Sequence, residues 1–312
     1  MKKSMKIRIG FGSVMITGVA ALLYWDWSLQ RAAKAAYVVG EGEAVVGVPT
    51  ACLVAVMAAV GFLELHRMAR AIGTAGLRVS GVLGTVAVAT LPVWSQWLLA
   101  DGLYRAIGAP ALLPMLLLGV IVMLMFFEQM AVHRTEDALR RMAVTALGVL
   151  YVGGGSYLVL WLRVGFGVEF LVLFLAVVKF TDIGAYFTGS FFGKHKLIPW
   201  LSPGKSWEGL AGGLVTAAGV CVLGAWLMSI HPFGGSVLFG EGSHVWRYLV
   251  FGAVVGAFGQ FADLCESLLK RAAGVKDSGA IVPEFGGVLD IVDSPLLAAP
   301  VALLMMVVFA LV

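Results

Sequence analysis

Apolar residues recur along this chain in runs of about 20, separated by short polar segments. As a helix, a run of this length crosses a hydrocarbon core of about 30 Å. We predict nine such spans, at about 8–25, 44–63, 79–99, 111–127, 142–162, 169–190, 209–230, 247–266 and 288–311. The predicted fold class is therefore all-α, a polytopic integral membrane protein.

The composition supports this fold class. Only 13% of the 312 residues are charged, against roughly 25% in a soluble domain, and the mean hydropathy is +0.95. The chain therefore lacks the charged surface that a soluble protein needs. The first apolar run ends in "LLYWDW" without a small-residue cleavage site, so we expect a retained span rather than a signal peptide.

The basic residues predict how the chain is oriented. Of the 22 lysines and arginines, 16 fall at the N-terminus and in alternate loops. Five fall on the other side, namely Arg31, Lys34, Arg105, Arg163 and Arg247. This bias predicts a cytoplasmic N-terminus and cytoplasmic loops at 191–208 and 267–287. The net charge of +4 then follows from membrane topology, and no nucleic-acid partner is expected. The three cysteines are isolated in apolar runs, which favours packing roles over disulfides or zinc.

The first half of the chain, residues 1–165, is predicted to be a scaffold of transmembrane helices. Its polar residues lie mainly in "FLELHRMAR" and "EQMAVHRTEDALRR", which favour solvated helix extensions, with His66 and His133 at the surface. The glycines of "GGGS" at 153–156 favour close helix packing. Residues 166–312 are predicted to form the catalytic domain.

Charge is concentrated in this second half, where nine of the 18 acidic residues lie between 182 and 293. An ionisable residue inside a span suggests a functional site. Lys179 and Asp182 share a helix face, and an ion pair between helices is the structural alternative. In "SPGKSWEGLAGG", Lys205 precedes a helix start that Ser206 could cap. A capped helix and a phosphate site both remain open there.

A third polar cluster joins the eighth span to the ninth. Asp263, Glu266, Ser267, Lys270 and Arg271 have the spacing of one helical stripe. Further carboxylates follow, namely Asp277, Asp290 and Asp293. If the last helix begins near Ser294 and Pro295, these aspartates lie at the membrane surface. Carboxylates this close need a cation between them, and oxygen ligands with substrate phosphates suit Mg²⁺. A solvated acidic loop is the alternative.

Two long stretches resemble a known family. "SLLKRAAGVKDSGAIVPEFGGVLDIVDS" and the upstream "DIGAYFTGSFFGKHKLIPWLSPGKSWEGLAGG" resemble, in order, the signatures of the phosphatidate cytidylyltransferases. Together they cover roughly residues 180–295. The resemblance implies transfer of CMP from CTP to phosphatidate or a related lipid phosphate, with release of pyrophosphate and one or two Mg²⁺ ions in the site. It also implies an active site that faces the cytoplasm at the lipid surface, and it leaves a homodimer open.

The resemblance also assigns roles to individual residues. It implies that Asp277 and Asp290 are the main metal ligands, that Asp263 and Asp293 support them as further metal ligands, and that Lys270 acts with them in catalysis. Residues expected to bind phosphates or to order the site are Asp182, Ser202, Lys205, Trp207, Glu208, Ser267, Arg271, Lys276, Gly286 and Gly287.

Three departures from the family pattern leave alternatives open. Glu284 and Phe285 replace a Gly-His pair, Ile291 replaces an arginine, and Ala262 replaces a glycine. Either Lys205 and Lys276 supply enough positive charge, or the substrate is another lipid phosphate, or activity is lost. A lipid-alcohol kinase with Asp263 as general base is an alternative function. An ion-coupled transporter that relays charge through its intramembrane ionisable residues is another.

Overall fold

The computed structural model describes residues 2–39, 45–100, 112–229, 244–279 and 286–311. The helices are α1 (Lys2–Val39), α2 (Val48–Ala71), α3 (Arg78–Ala100), α4 (Leu112–Glu128), α5 (Ala138–Gly148), α6 (Gly155–Phe166), α7 (Val168–Phe192), α8 (Trp207–Ser229), α9 (Val245–Ala272) and α10 (Leu289–Leu311). A π-helical segment, Gln129–His133, continues α4, and a second, Val149–Gly154, joins α5 to α6.

Eight helical segments of the described chain are long and apolar enough to cross a membrane. They are Val48–Ala71, Arg78–Gln96, Leu112–His133, Ala138–Phe166, Val168–Phe192, Trp207–Ser229, Val245–Ala272 and Leu289–Phe309. They match the eight predicted spans from 44–63 onward, so the protein is an all-α polytopic membrane protein. The remaining predicted span, 8–25, lies within α1. The count of nine and the cytoplasmic N-terminus stay predictions.

The chain forms two compact units. Unit 1 comprises residues 1–165 and 277–291, and unit 2 comprises residues 166–276 and 292–312. The segment 277–291, which was predicted to belong to the C-terminal domain, therefore groups with the first half of the chain. The assignment of scaffold and catalytic roles to the two halves stays a prediction.

A buried ion pair lies in the interior of unit 1. Arg163 Nε is 2.7 Å from Asp26 Oδ2, and both side chains are only 1% exposed. The Thr50 hydroxyl donates a hydrogen bond to the same carboxylate. The prediction that Arg163 lies in a loop is wrong, because it lies within α6. Its buried charge is tolerated because the opposite charge of Asp26 lies beside it.

Two polar residues of "EQMAVHRTEDALRR" also have structural partners in unit 1. The Glu128 carboxylate accepts hydrogen bonds from the backbone N–H groups of Val79 (3.0 Å) and Ser80 (2.6 Å), in the first turn of α3. Gln129 is buried, and its amide donates to two backbone carbonyls of the following turn. The predicted solvated face is therefore wrong for Gln129, while Glu128 is half-buried and caps α3. His66 was also predicted at the surface, but it is half-buried and stacks on Phe62.

Small residues bring the helices of unit 2 close together. A Cβ atom added to Gly184 of α7 would lie 2.2 Å from Oγ1 of Thr216 in α8. A Cβ on Gly252 of α9 would lie 2.6 Å from the Ala217 carbonyl oxygen, also in α8. Glycine at these positions therefore permits backbone contact between neighbouring helices, as is common in membrane bundles. The cysteines Cys52, Cys221 and Cys265 are free, as predicted.

The predicted loop 191–208 contains a β-hairpin. Strand β1 (Lys196–Ile198) pairs antiparallel with β2 (Ser202–Ser206). The Ser206 hydroxyl accepts a hydrogen bond from the Gly209 N–H (3.1 Å), which confirms the predicted cap of α8.

The ends of the predicted loop 267–287 also differ from expectation. Helix α9 continues to Ala272, so the first residues of this loop are helical. The last helix begins at Leu289, in agreement with the predicted span 288–311, and the later start near Ser294 and Pro295 that was considered for placing the aspartates is wrong. The reason is that Asp290 and the distant Glu64 accept hydrogen bonds from backbone N–H groups at the start of α10.

Candidate active site

Three carboxylates converge in unit 2, and we call them the acidic cluster. Asp263 and Glu266 lie on α9 and Asp293 lies on α10, and one oxygen from each lies within 4.8 Å of the others. Glu266 and Asp293 are 0% and 3% exposed. The spacing of three residues along α9 places Asp263 and Glu266 on the same helix face. Oxygen ligands this close and this shielded from water fit a divalent cation.

Two lysines neutralise part of the charge of the acidic cluster. Lys205 Nζ, at the end of the hairpin, lies 2.7 Å from Asp263 Oδ2 and donates a 2.9 Å hydrogen bond to the Gln260 carbonyl oxygen. Lys270 pairs with Glu266 one turn along α9. The site therefore combines oxygen ligands for a cation with ammonium groups that suit phosphate oxygens.

Gln260 links this site to α7. Its side-chain amide donates a 2.6 Å hydrogen bond to Asp182 Oδ1, while its backbone carbonyl accepts from Lys205. Gln260 is buried and Asp182 is half-buried. Asp182 was singled out from the sequence together with Lys179, and the structure adds a neutral amide partner from another helix. Gln260 itself was missed, because a single glutamine in a glycine-rich span carries no distinctive spacing.

Glu208 holds the segment that leads into the hairpin. Its carboxylate accepts hydrogen bonds from the backbone N–H groups of Lys194 and His195 (both 3.2 Å), and it lies 2.6 Å from His195 Nδ1. These contacts place Glu208 among residues that order the loop. Ser202 is half-buried in β2, and Trp207 is exposed at the start of α8.

The remaining predicted residues of unit 2 follow along α9. Ser267 is half-buried, Arg271 is exposed in the last turn, and Lys276 is exposed beyond the end of the helix. Their predicted roles in phosphate binding stay predictions.

Unit 1 contains the other two predicted metal ligands, in a hydrogen-bonded turn. Asp290 Oδ2 accepts hydrogen bonds from the Ser278 N–H (3.0 Å), the Ser278 hydroxyl (2.9 Å) and the Gly287 N–H (2.7 Å). Gly286 has a φ of +93°, a conformation that glycine adopts without strain. Asp277 is exposed. The structure therefore shows Asp290 organising this turn, and metal binding by Asp277 and Asp290 stays a prediction.

A second carboxylate, that of Glu64 on α2, also binds this turn, and this role was not predicted. It is 0% exposed and accepts hydrogen bonds from the N–H groups of Val288 (3.0 Å) and Leu289 (2.8 Å). The prediction that "FLELHRMAR" is a solvated extension is wrong for this residue. The one available signal was an acidic residue flanked by apolar neighbours near the end of a span.

The acidic cluster contains two of the four predicted metal ligands, Asp263 and Asp293. Glu266 belongs to the cluster and was missed as a ligand, although its position three residues after Asp263 was a usable signal. The three oxygens match the ligand preference of Mg²⁺, which commonly completes its shell with water and substrate phosphates. The residues present therefore fit a divalent cation.

These features define a polytopic α-helical membrane protein with a shielded carboxylate and lysine site. Comparison with known sequences then identifies the family. The profile of the cytidylyltransferase family matches residues 6–309. The chain therefore belongs to the cytidylyltransferase family.

Curated relatives agree with this assignment. A phosphatidate cytidylyltransferase from Haemophilus influenzae is 42% identical over 132 residues, which cover 42% of this chain and 43% of the relative. A phosphatidate cytidylyltransferase from Staphylococcus saprophyticus is 37% identical over 158 residues, which cover 51% of this chain and 56% of the relative. The alignments thus span about half the length of these relatives.

Proposed function

We propose that this protein transfers CMP from CTP to phosphatidate, giving CDP-diacylglycerol and pyrophosphate in phospholipid synthesis. The observation that carries the proposal is the acidic cluster with Lys205 and Lys270 paired to two of its carboxylates. Membership of the cytidylyltransferase family and the names of the relatives support the same reaction. They favour it over a lipid-alcohol kinase.

The reaction makes modest demands on acid-base chemistry. The phosphate monoester of phosphatidate carries a charge of about −1.5 to −2 at neutral pH, so it is already a nucleophile. One of its oxygens bonds to the α-phosphorus of CTP. The bond from that phosphorus to the oxygen shared with the β-phosphate breaks, and its electron pair leaves with pyrophosphate. What the protein must supply is alignment of two anionic substrates and neutralisation of their charge.

The residues of unit 2 fit these two tasks. We assign Lys205 and Lys270 to phosphate oxygens, since each ammonium group lies beside the acidic cluster. Asp263, Glu266 and Asp293 would hold Mg²⁺, which supplies positive charge to the triphosphate when bound. Gln260 keeps Asp182 and Lys205 in place through its side chain and its backbone.

Other roles rest on the family resemblance. They include phosphate binding by Ser267, Arg271 and Lys276, and metal binding by Asp277 and Asp290. We also propose that the site faces the cytoplasm, where CTP is available. The support is the bias of basic residues, 16 against five, between the two predicted sides. A second Mg²⁺ ion and a homodimer are compatible with this assignment.

The proposal is tested by incubating the purified protein with CTP, Mg²⁺ and phosphatidate in detergent micelles. Stoichiometric pyrophosphate and a CDP-lipid are expected. Formation of CDP and a phosphorylated lipid when a polyprenol is supplied would instead indicate a kinase. A panel of other lipid phosphates tests whether Ile291 and the replaced Gly-His pair change the substrate. The proposal fails if none of the lipid phosphates gives a CDP-lipid and pyrophosphate.

A further inference from the structure

Glu64 connects the first half of the chain to the turn before α10. Its two carboxylate oxygens accept hydrogen bonds from the backbone N–H groups of Val288 and Leu289. The Ser278 hydroxyl lies 3.2 Å from Glu64 Oε2. The side chain is fully buried, so water does not compete for these bonds. The carboxylate thus satisfies N–H groups that the first turn of a helix leaves without a partner within the helix.

Asp290 also accepts hydrogen bonds from this turn. It accepts from Gly287 N–H and from both the N–H and the hydroxyl of Ser278. The single Ser278 hydroxyl proton is therefore shared between Asp290, at 2.9 Å, and Glu64, at 3.2 Å. Together the two carboxylates fix three consecutive backbone N–H groups, those of residues 287–289. We call this arrangement the two-carboxylate clamp.

The glycines around the clamp leave the space that Glu64 occupies. A Cβ atom on Gly279 would lie 2.5 Å from Glu64 Oε1. A Cβ on Gly287 would lie 2.1 Å from Ser278 Oγ and 2.5 Å from Glu64 Oε2. Glu64, which lies more than 200 positions earlier in the chain, therefore accounts for the glycine at 279 and, together with Ser278, for the glycine at 287.

We propose that Glu64 is a positioning residue for the turn that carries Asp277 and Asp290. It acts through Ser278 and the start of α10 rather than by contact with a substrate. The inference rests on the proposed function, because only the family resemblance gives Asp277 and Asp290 a role in metal binding. Under this proposal, a residue from the half of the chain predicted to be only a scaffold helps to position the predicted metal ligands.

The first test measures the turn itself, independently of activity. In Glu64→Gln, an NH₂ group replaces one of the two acceptor oxygens, and it would face the backbone N–H of Val288 or Leu289, which is also a donor. Hydrogen exchange of the amides of Val288 and Leu289 should become about tenfold faster or more, because their bonds to a charged acceptor are lost. Unchanged exchange in these amides would overturn the proposal.

Glu128→Gln is the matched control. Glu128 also accepts two backbone hydrogen bonds in the first turn of a helix in unit 1, but that helix is α3. This variant should speed exchange at residues 79–80 and leave residues 287–289 unchanged. Faster exchange at 287–289 in both variants would show general loosening of the unit, which contradicts a specific role for Glu64.

The second test measures catalysis in the full-length protein. Glu64→Gln should lower kcat by about tenfold or more while the KM for CTP changes little, and Glu128→Gln should retain the parent kcat. Ser278→Ala, which removes only the shared hydroxyl, should give a smaller loss, and it carries the test if Glu64→Gln does not fold. If variants with faster exchange keep the kcat of the parent protein, the positioning role is overturned. If the parent protein itself transfers no CMP, the proposed function fails, while the exchange measurement still decides the role of Glu64 in the turn.

Discussion

Lys205 Nζ lies 2.7 Å from Asp263 Oδ2, and this contact joins the β-hairpin to α9. The lysine side chain is 16% exposed and the aspartate side chain is 34% exposed, so the pair is partly shielded from water. The same ammonium group also donates to the Gln260 carbonyl oxygen. A cation held in this way is positioned before any substrate arrives, which is the condition for strong electrostatic stabilisation of a transition state.

Replacing Lys205 with methionine should therefore lower kcat/KM for CTP by about a hundredfold or more, because one fixed positive charge is lost from the phosphate site. Steady-state assays with CTP and phosphatidate measure this effect. Lys194→Met is the control, since Lys194 is exposed just before the same hairpin. Equal losses in the two variants would contradict a specific role for Lys205.

The acidic cluster predicts a defect in cation binding. Asp293→Asn and Glu266→Gln should each weaken Mn²⁺ binding, measured by electron paramagnetic resonance, and should lower Mg²⁺-dependent turnover by about a hundredfold. Glu136→Gln, at an exposed position in the turn before α5, should leave both quantities unchanged. Normal Mn²⁺ affinity in both variants would show that the acidic cluster does not bind the cation.

Gln260 should matter for both stability and activity. In Gln260→Leu, Asp182 loses its 2.6 Å amide donor while the backbone bond to Lys205 is kept. Loss of such a bond to a charged group costs about 1–3 kcal/mol, so thermal unfolding in detergent should shift downward, and kcat should fall. Gln96→Leu removes amide bonds to two backbone carbonyls of unit 1, and it should lower stability without lowering kcat per folded molecule. An unchanged kcat in Gln260→Leu would limit Gln260 to a structural role.

The buried pair in unit 1 predicts strong coupling between two distant positions. Arg163→Met leaves Asp26 buried without its cation and should cost about 3–5 kcal/mol of stability. Adding Asp26→Asn should recover much of that loss, because the unpaired charge is removed. Unfolding of the parent protein, of Arg163→Met, of Asp26→Asn and of the double variant gives the coupling energy. Additive losses would show that the two residues do not act as a pair.

The spans and much of the unit 2 site could be predicted from the sequence, because their signals are local. Hydropathy over about 20 residues marks the membrane helices. The spacing of Asp263, Glu266 and Lys270 places them on one face of α9. Ser206 was recognisable as a helix cap because it immediately precedes the apolar run of α8.

Apart from Glu266, whose spacing was a usable signal, the missed features depend on contacts between distant positions. Asp26 and Arg163 are 137 residues apart, and Glu64 and Leu289 are 225 residues apart. Glu64 lies in a segment that was predicted to be solvated and Asp26 was given no role, and only the fold supplies the partner of each carboxylate. The predicted span 288–311 placed the start of α10 correctly, but the side chain from α2 that satisfies its first N–H groups could not be foreseen.

The central claim is that this protein transfers a nucleotidyl group, and the fate of the CTP phosphates tests it most directly. Two preparations of CTP, labelled at the α- or the γ-phosphorus, are incubated separately with the protein, Mg²⁺ and phosphatidate. Label from the α position should enter the lipid fraction, and label from the γ position should appear in pyrophosphate. Transfer of the γ label to lipid, or no transfer from either position, would contradict the account.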